Sequence, residues 1–246
     1  DIKNGDCDSI KHDLEKGISA IPEIGEVIRL IEQKKIELPP LLILVDTLNL
    51  DRRGLQIETR KELIRYCYGV ASTVGVLMCQ IFQIKNEAAF PFAIDLGIAM
   101  QLTNIARDVY EDALSERIYL PQQYFKERIS PRCIVNSSRK EEVLNVQEEI
   151  LKLSDLYYQS ADKGMRYLPA NVRLSILIAS RLYRDKGSVI RSNPDRFYRE
   201  RADSSLYAKC IQTLNAFLSF PILSYSKARH DSRLHHDLIY LPYSNA

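Results

Sequence analysis

Apolar residues recur along most of the chain at intervals of three and four, the repeat of a helix with one buried face. No stretch shows the apolar-polar alternation with turn punctuation that marks a strand. Behind a candidate cap at Asp8-Ser9, Ile10, Leu14 and Ile18 share a face, and residues 22–34 repeat the pattern after Pro22. Pro39-Pro40 opens a third helix whose run over 41–45 is apolar on every side, which predicts an interior position. Residues 59–84 read as a long helix with Gly69-Val-Ala-Ser-Thr-Val-Gly75 at its middle. Each glycine there costs roughly 1 kcal/mol against alanine, so tight packing or a cavity must offset it. After Pro121 a polar connection covers 126–140, and helical periodicity returns over 141–165 and 170–191, stopped by Pro194. The pattern predicts an all-α, single-domain bundle over residues 1–220 and a tail over 221–246, with His230, His235 and His236 expected to face solvent.

One stretch breaks the apolar pattern. Within Gln101-Leu-Thr-Asn-Ile-Ala-Arg-Asp-Val-Tyr-Glu-Asp112 stand Asp108 and Asp112, the only aspartates in the chain spaced four apart. On a helix, Gln101, Asn104, Asp108 and Asp112 fall within an arc of roughly 80°, a polar stripe on an otherwise apolar rod. Two carboxylates one turn apart repel, and a divalent cation would relieve them; magnesium takes such oxygen ligands together with substrate phosphates. Spacing alone leaves two readings open: a metal-diphosphate site, or an ordinary acidic patch on a solvated face. Asp46 and Asp51, five apart, lie about 140° from each other on a helix and cannot both face one metal without a bend. Arg196, Arg199 and Arg201 follow Pro194 and suit a small polyanion, since arginine's fork binds phosphate oxygens bidentately; a solvated basic turn is the alternative.

Composition narrows the function classes. With 246 residues, 46% of them hydrophobic and 27% charged, the chain has the profile of a soluble globular protein. A net charge of +2 with no basic block argues against nucleic acid as a partner. The five cysteines include no C-x-x-C pair, which points to a reducing, cytoplasmic setting. No run of eighteen apolar residues predicts a membrane span, and the N-terminus lacks the pattern of a signal peptide.

Three blocks together resemble the squalene/phytoene synthase family of head-to-head prenyl transferases, in its phytoene synthase branch. They are Leu44-Val-Asp46-Thr-Leu-Asn-Leu-Asp51 leading into Tyr66-Cys-Tyr68-Gly-Val-Ala-Ser-Thr-Val-Gly75; Ala99 to Asp112 with Glu116-Arg-Ile-Tyr-Leu-Pro121, which looks like the family's second aspartate-rich motif; and Tyr157 to Pro169 with Arg173 and Ser180-Arg-Leu-Tyr183. The resemblance runs from about residue 40 to about residue 200. It implies a helical bundle of the isoprenoid synthase type and the joining of two geranylgeranyl diphosphates into phytoene through a cyclopropyl diphosphate, a step of carotenoid biosynthesis. It further implies Asp108, Asp112 and Asn104 as ligands of magnesium, with manganese as the alternative. Arg107 and Tyr183 would act beside them, and Gln101, Tyr66, Tyr68, Asp46, Asp51, Arg199 and Arg201 would contact the prenyl diphosphate substrates. Peripheral association with a membrane would help release so apolar a product. Ser72 and Tyr110 stand where family members frequently carry glycine, which bears on product length.

The family's first D-x-x-x-D motif has no counterpart, because none of Asp1, Asp6, Asp8 and Asp13 has an aspartate four residues on. The expectation is a chain lacking the N-terminal region that carries it, inactive as residues 1–246 alone. Two alternatives stay beside the phytoene reading: a synthase making squalene or dehydrosqualene from farnesyl diphosphate, and a non-catalytic relative that binds a lipid or a protein as an assembly factor.

Overall fold

A computed structural model describes residues 7–225 and 229–244, and every regular element among them is helical. Asp1 and Asp6 lie outside the described residues. Three helices form one flank: α1 (Cys7–Lys16), α2 (Pro22–Lys34) and α3 (Leu38–Arg52). Leu14, Ile24 and Ile28 bury between them as a small cluster separate from the main core. Proline occupies the first turn of α2 and of α3, where its missing N–H leaves no bond unmade. The interior position predicted for 41–45 is not observed. Pro40 is the one buried residue of α3, while Leu48 and Leu50 are exposed, because α1 covers one side and the helix after Gly69 another, and neither encloses it.

The helix predicted over 59–84 is a rod with one wide turn in it. α4 (Arg60–Cys67) starts on a capping box between Thr59 and Glu62, passes through a π-helical turn over Tyr68–Ser72, and continues as α5 (Thr73–Ile81). The wide turn sits directly on the central helix α6 (Phe90–Arg107). A Cβ at Gly97 of α6 would lie 2.6 Å from Ser72 Cα, so only glycine permits this approach.

Beyond α6 follow α7 (Val109–Leu114), α8 (Pro131–Val135), which is a short helix inside the predicted connection, α9 (Lys140–Gly164), α10 (Ala170–Ser192), α11 (Pro194–Phe197) and α12 (Leu206–Tyr225). The α6–α9 contact holds the main core. Across it the Thr103 hydroxyl meets those of Ser154 and Tyr158 at 3.1 and 3.2 Å, and the Gln147 amide donates to the Ala106 carbonyl. Ion pairs of Arg181 with Asp162, Arg184 with Asp155, and Arg191 with Glu148 and Asp155 join α9 to α10. By length and composition the stretch Glu87–Arg107 is apolar enough to cross a bilayer, but 67% of that window is buried inside the bundle, the place of a core helix.

The C-terminal segment departs from expectation. α12 runs unbroken through residues 220 and 221, and residues 229–244 fold back over the core. Tyr68 donates to the Pro242 carbonyl at 2.7 Å, Tyr157 donates to the Leu234 carbonyl at 2.8 Å, and Leu238 is fully buried. His230 and His235 are therefore not solvent-facing: both reach Asp95, a fully buried carboxylate on α6, and His236 alone of the three is exposed. Burial opposes ionisation of Asp95, yet its contacts with the two imidazoles outweigh burial and hold its carboxyl below the ordinary value. Nothing local marks those histidines, because the carboxylate that orders them is more than a hundred residues away.

Candidate active site

The polar stripe spans two helices, not one. α6 ends at Arg107, Asp108 takes φ −100° and ψ 13°, and α7 begins at Val109. Helical spacing survives the break, since Asp108 N donates to the Asn104 carbonyl at 2.9 Å and Asp112 N to the Asp108 carbonyl at 2.8 Å. The two carboxylates stay close enough to perturb each other. Burial first, and then Asp108, push the Asp112 carboxyl up to about 7, with Asp51 adding to the rise and Arg117 opposing it. Asp108 is held by its neighbour instead: Arg107 Nε and Nη2 donate to its two oxygens, and Arg201 Nε stands 3.6 Å away.

A third acid joins from α3. Asp51 accepts from the Tyr119 hydroxyl at 2.7 Å and faces Arg117 at 3.8 Å, and Tyr119 stacks on Tyr66 with ring centroids 5.1 Å apart. Asp46 is not brought here. The predicted 140° offset turns it to the other side of α3, where it accepts from Lys11 Nζ at 2.8 and 2.9 Å. Tyr68 is also turned away, fully buried beneath the C-terminal segment. Tyr183 does belong to this region, with Lys186 Nζ 4.0 Å above its ring. Arg199 lies at the rim, its guanidinium 5.8 Å from the Tyr110 ring and bonded to the Ser137 hydroxyl.

Lys186 escaped the reading of the sequence. Burial first, and then the guanidiniums of Arg107 and Arg201, hold its ammonium below the ordinary lysine value, so three cations converge on Asp108. Its signal was faint: one turn from Tyr183 on α10, so on the same side of that helix.

Asn104 adds an independent observation. Its Oδ1 is buried without a hydrogen-bond partner, while its Nδ2 is 3.5 Å from Gln101 Oε1. An orphaned amide oxygen beside two carboxylates is an all-oxygen donor set, which fits magnesium.

Below the stripe lies an apolar cavity of about 360 Å³, lined among others by Val70, Ala71 and Val74 from the wide turn and α5, and by Leu96 and Met100 of α6. Leu96, Met100, Asn104 and Asp108 occupy successive turns of one side of the same rod, so it passes from apolar to ionic over roughly 18 Å. Such a gradient matches a ligand with a hydrocarbon tail and an anionic head.

Comparisons with known proteins bear on family and fold. The family model described as squalene/phytoene synthase matches residues 8–208. Among curated relatives, the 15-cis-phytoene synthase of Enterobacter agglomerans is 32% identical over 157 residues, 63% of this chain and 53% of that protein. That of Paracoccus sp. is 34% identical over 166 residues, 68% of this chain and 54% of its own length. The chain thus spans about half the length of the curated relatives it matches. Its fold is similar to that of a dehydrosqualene synthase crystallised with ligand, with TM-score 0.74 at 22% identity over 88% of this chain and 78% of that one. It is similar also to the squalene synthase of Alicyclobacillus acidocaldarius, with TM-score 0.66 at 19% identity over 82% of this chain and 78% of that one.

Proposed function

The chain belongs to the squalene/phytoene synthase family, and from that premise we propose that it forms the tail channel and one diphosphate site of an enzyme that condenses two prenyl diphosphates head to head. The observation that carries this is the gradient along α6, from Leu96 and Met100 in the cavity to Asn104 and Asp108 at its polar end.

Each part has a physical task. The cavity takes a prenyl tail, and its almost wholly apolar lining offers water no hydrogen-bond partner beside a carbocation. Arg107, Lys186 and Arg201 surround Asp108 and would pair with a diphosphate as negative charge builds on it. Asp108, Asp112 and Asn104 Oδ1 would hold magnesium, which when bound neutralises the leaving diphosphate. Asp51 would position Tyr119 and, through it, the Tyr66 ring. The Tyr183 ring already faces a cation, Lys186, and an aromatic face of that kind stabilises a developing allylic cation. In the reaction one diphosphate leaves, the double bond of the second substrate attacks the allylic cation, and proton loss closes a cyclopropane. Departure of the second diphosphate leaves a cation, which rearranges and then loses a second proton to give the linear hydrocarbon.

The C40 product phytoene is favoured over a C30 product, because the curated relatives named above are phytoene synthases, whereas the two solved neighbours are too distant to speak beyond fold. Incubating the complete protein with magnesium and either geranylgeranyl or farnesyl diphosphate, with and without a nicotinamide hydride donor, then identifying the extracted hydrocarbon, tests both levels. Preference for the farnesyl substrate would reassign the product to C30. Absence of hydrocarbon from either would remove the enzymatic reading and leave a lipid- or protein-binding role.

A further inference from the structure

Toward the other end of α6 from Asp108 stands a cluster that the proposed reaction does not use. Asp95 is fully buried on an apolar stretch of the helix. His230 Nε2 lies 3.0 Å from its Oδ2 and His235 Nε2 lies 2.9 Å from its Oδ1. The three donor atoms all lie within 4.8 Å of one another. We propose that Asp95, His230 and His235 bind a zinc-class dication that fastens the C-terminal segment to the central helix.

The orientation of His235 carries the argument. Its Nδ1 is 2.9 Å from the Ser244 carbonyl, which can only accept, so a proton must sit on Nδ1. Unless Nε2 carries a second proton, the ring presents the Nε2 lone pair to a carboxylate, and the two repel unless a metal cation lies between them. A backbone carbonyl that accepts from the far nitrogen is the usual outer partner of a metal-bound imidazole, fixing its tautomer and its aim. Ser244 is itself anchored, with its hydroxyl 2.8 Å from both the Leu238 and the Leu241 carbonyl.

Spacing and donor type select the ion. Ligands at about 2.0–2.2 Å around a tetrahedral zinc stand roughly 3.3 Å from each other. The observed 2.9 and 3.0 Å between each imidazole and the carboxylate fall a few tenths of an ångström short of that, and no pair of donors is more than 4.8 Å apart. Two imidazoles and one carboxylate suit zinc, whereas magnesium prefers oxygen throughout. His230 retains a little exposure, 10%, while Asp95 has none, so a fourth ligand from solvent would enter on the His230 side. Closing a loop that joins residue 95 to residues 230 and 235 restrains a long piece of chain, the case in which a cross-link restricts the unfolded state most.

The other cation the geometry admits is a second proton on His235, and one experiment separates the two. The metal-stripped chain is titrated at neutral pH with cobalt(II) alone. Saturation at a single equivalent, with the visible bands of a tetrahedral nitrogen-ligated site that zinc displaces, is expected, together with a melting temperature that zinc raises and a chelator lowers. His230→Gln and His235→Gln should each remove the bands, and Asp112→Asn should keep them, which separates this site from the acidic stripe. The wild-type spectrum decides even where a histidine variant fails to fold. No cobalt band, a band that survives both histidine variants, or a melting temperature that follows pH and ignores zinc would each overturn the metal assignment.

Discussion

Arg107 grips the side chain of Asp108, its neighbour in sequence, through Nε at 2.6 Å and through Nη2 on the second oxygen. The pair is nearly closed off from solvent on the arginine side, with that side chain 8% exposed. Asp108→Asn therefore does more than remove one of two repelling acids, because it leaves a buried guanidinium without its counter-charge. We expect a loss of about 1–3 kcal/mol in urea unfolding. In the complete protein we expect product formation to fall at least about a hundredfold. Arg107→Lys should restore neither property fully, since an ammonium cannot reproduce the two-point contact. Parent-like stability and turnover in both variants would show that the pair is incidental.

Asp112 should behave in the opposite way. Its carboxyl is raised to about 7 from an ordinary 3.8, so the folded state holds a proton that the unfolded chain has released between those values. The resulting stabilisation is complete below about pH 4 and is lost as pH rises through 7. In magnesium-free buffer, Asp112→Asn should thus gain on the wild type across that window and exceed it at pH 8. The gain should be on the order of 1–2 kcal/mol, after allowance for solvent screening of a partly exposed group. Magnesium should close the gap by stabilising only the wild type. Melting curves at pH 4 and pH 8 decide the matter, and an Asn variant weaker than its parent at pH 8 contradicts it.

Burial, and then Arg107 and Arg201, disfavour the charge on Lys186 against the pull of Asp203 and Asp108, and a bound anion would favour it. Lys186→Met keeps the length and loses the charge. The variant should keep or slightly raise the melting temperature of the free protein, while kcat/KM for the prenyl diphosphate in the complete enzyme falls about tenfold or more. If inorganic diphosphate protects wild type and variant equally against heat, this lysine does not meet the substrate head.

The cavity makes a prediction about chain length. Ala71 lies on its wall in the wide turn, and Ala71→Phe would fill part of the 360 Å³ now open. Turnover of geranylgeranyl diphosphate should drop more than turnover of farnesyl diphosphate, by a factor of about ten or more between the two. Equal losses on both substrates would place the tail elsewhere.

What the sequence settled by itself was local. Periodicity and proline stops predicted helices over 141–165 and 170–191, and the structure has them at Lys140–Gly164 and Ala170–Ser192, because a helix is set by contacts three and four residues apart. The same rule placed Gln101, Asn104, Asp108 and Asp112 together, and spacing survived even the break at Asp108. It also separated Asp46 from Asp51, and the structure sends one to Lys11 and the other toward Asp112. Packing was decided only in three dimensions. α3 reads as interior from its apolar run yet lies half covered, since periodicity says which face is apolar and not how many neighbours will cover it. Tyr68 reads like Tyr66, but a carbonyl at Pro242 turned it into the core. The histidines around Asp95 carry no local signature, and Lys186 only its place one turn from Tyr183. Their environments are made by partners tens to more than a hundred residues away, and only the folded chain brings those partners within reach.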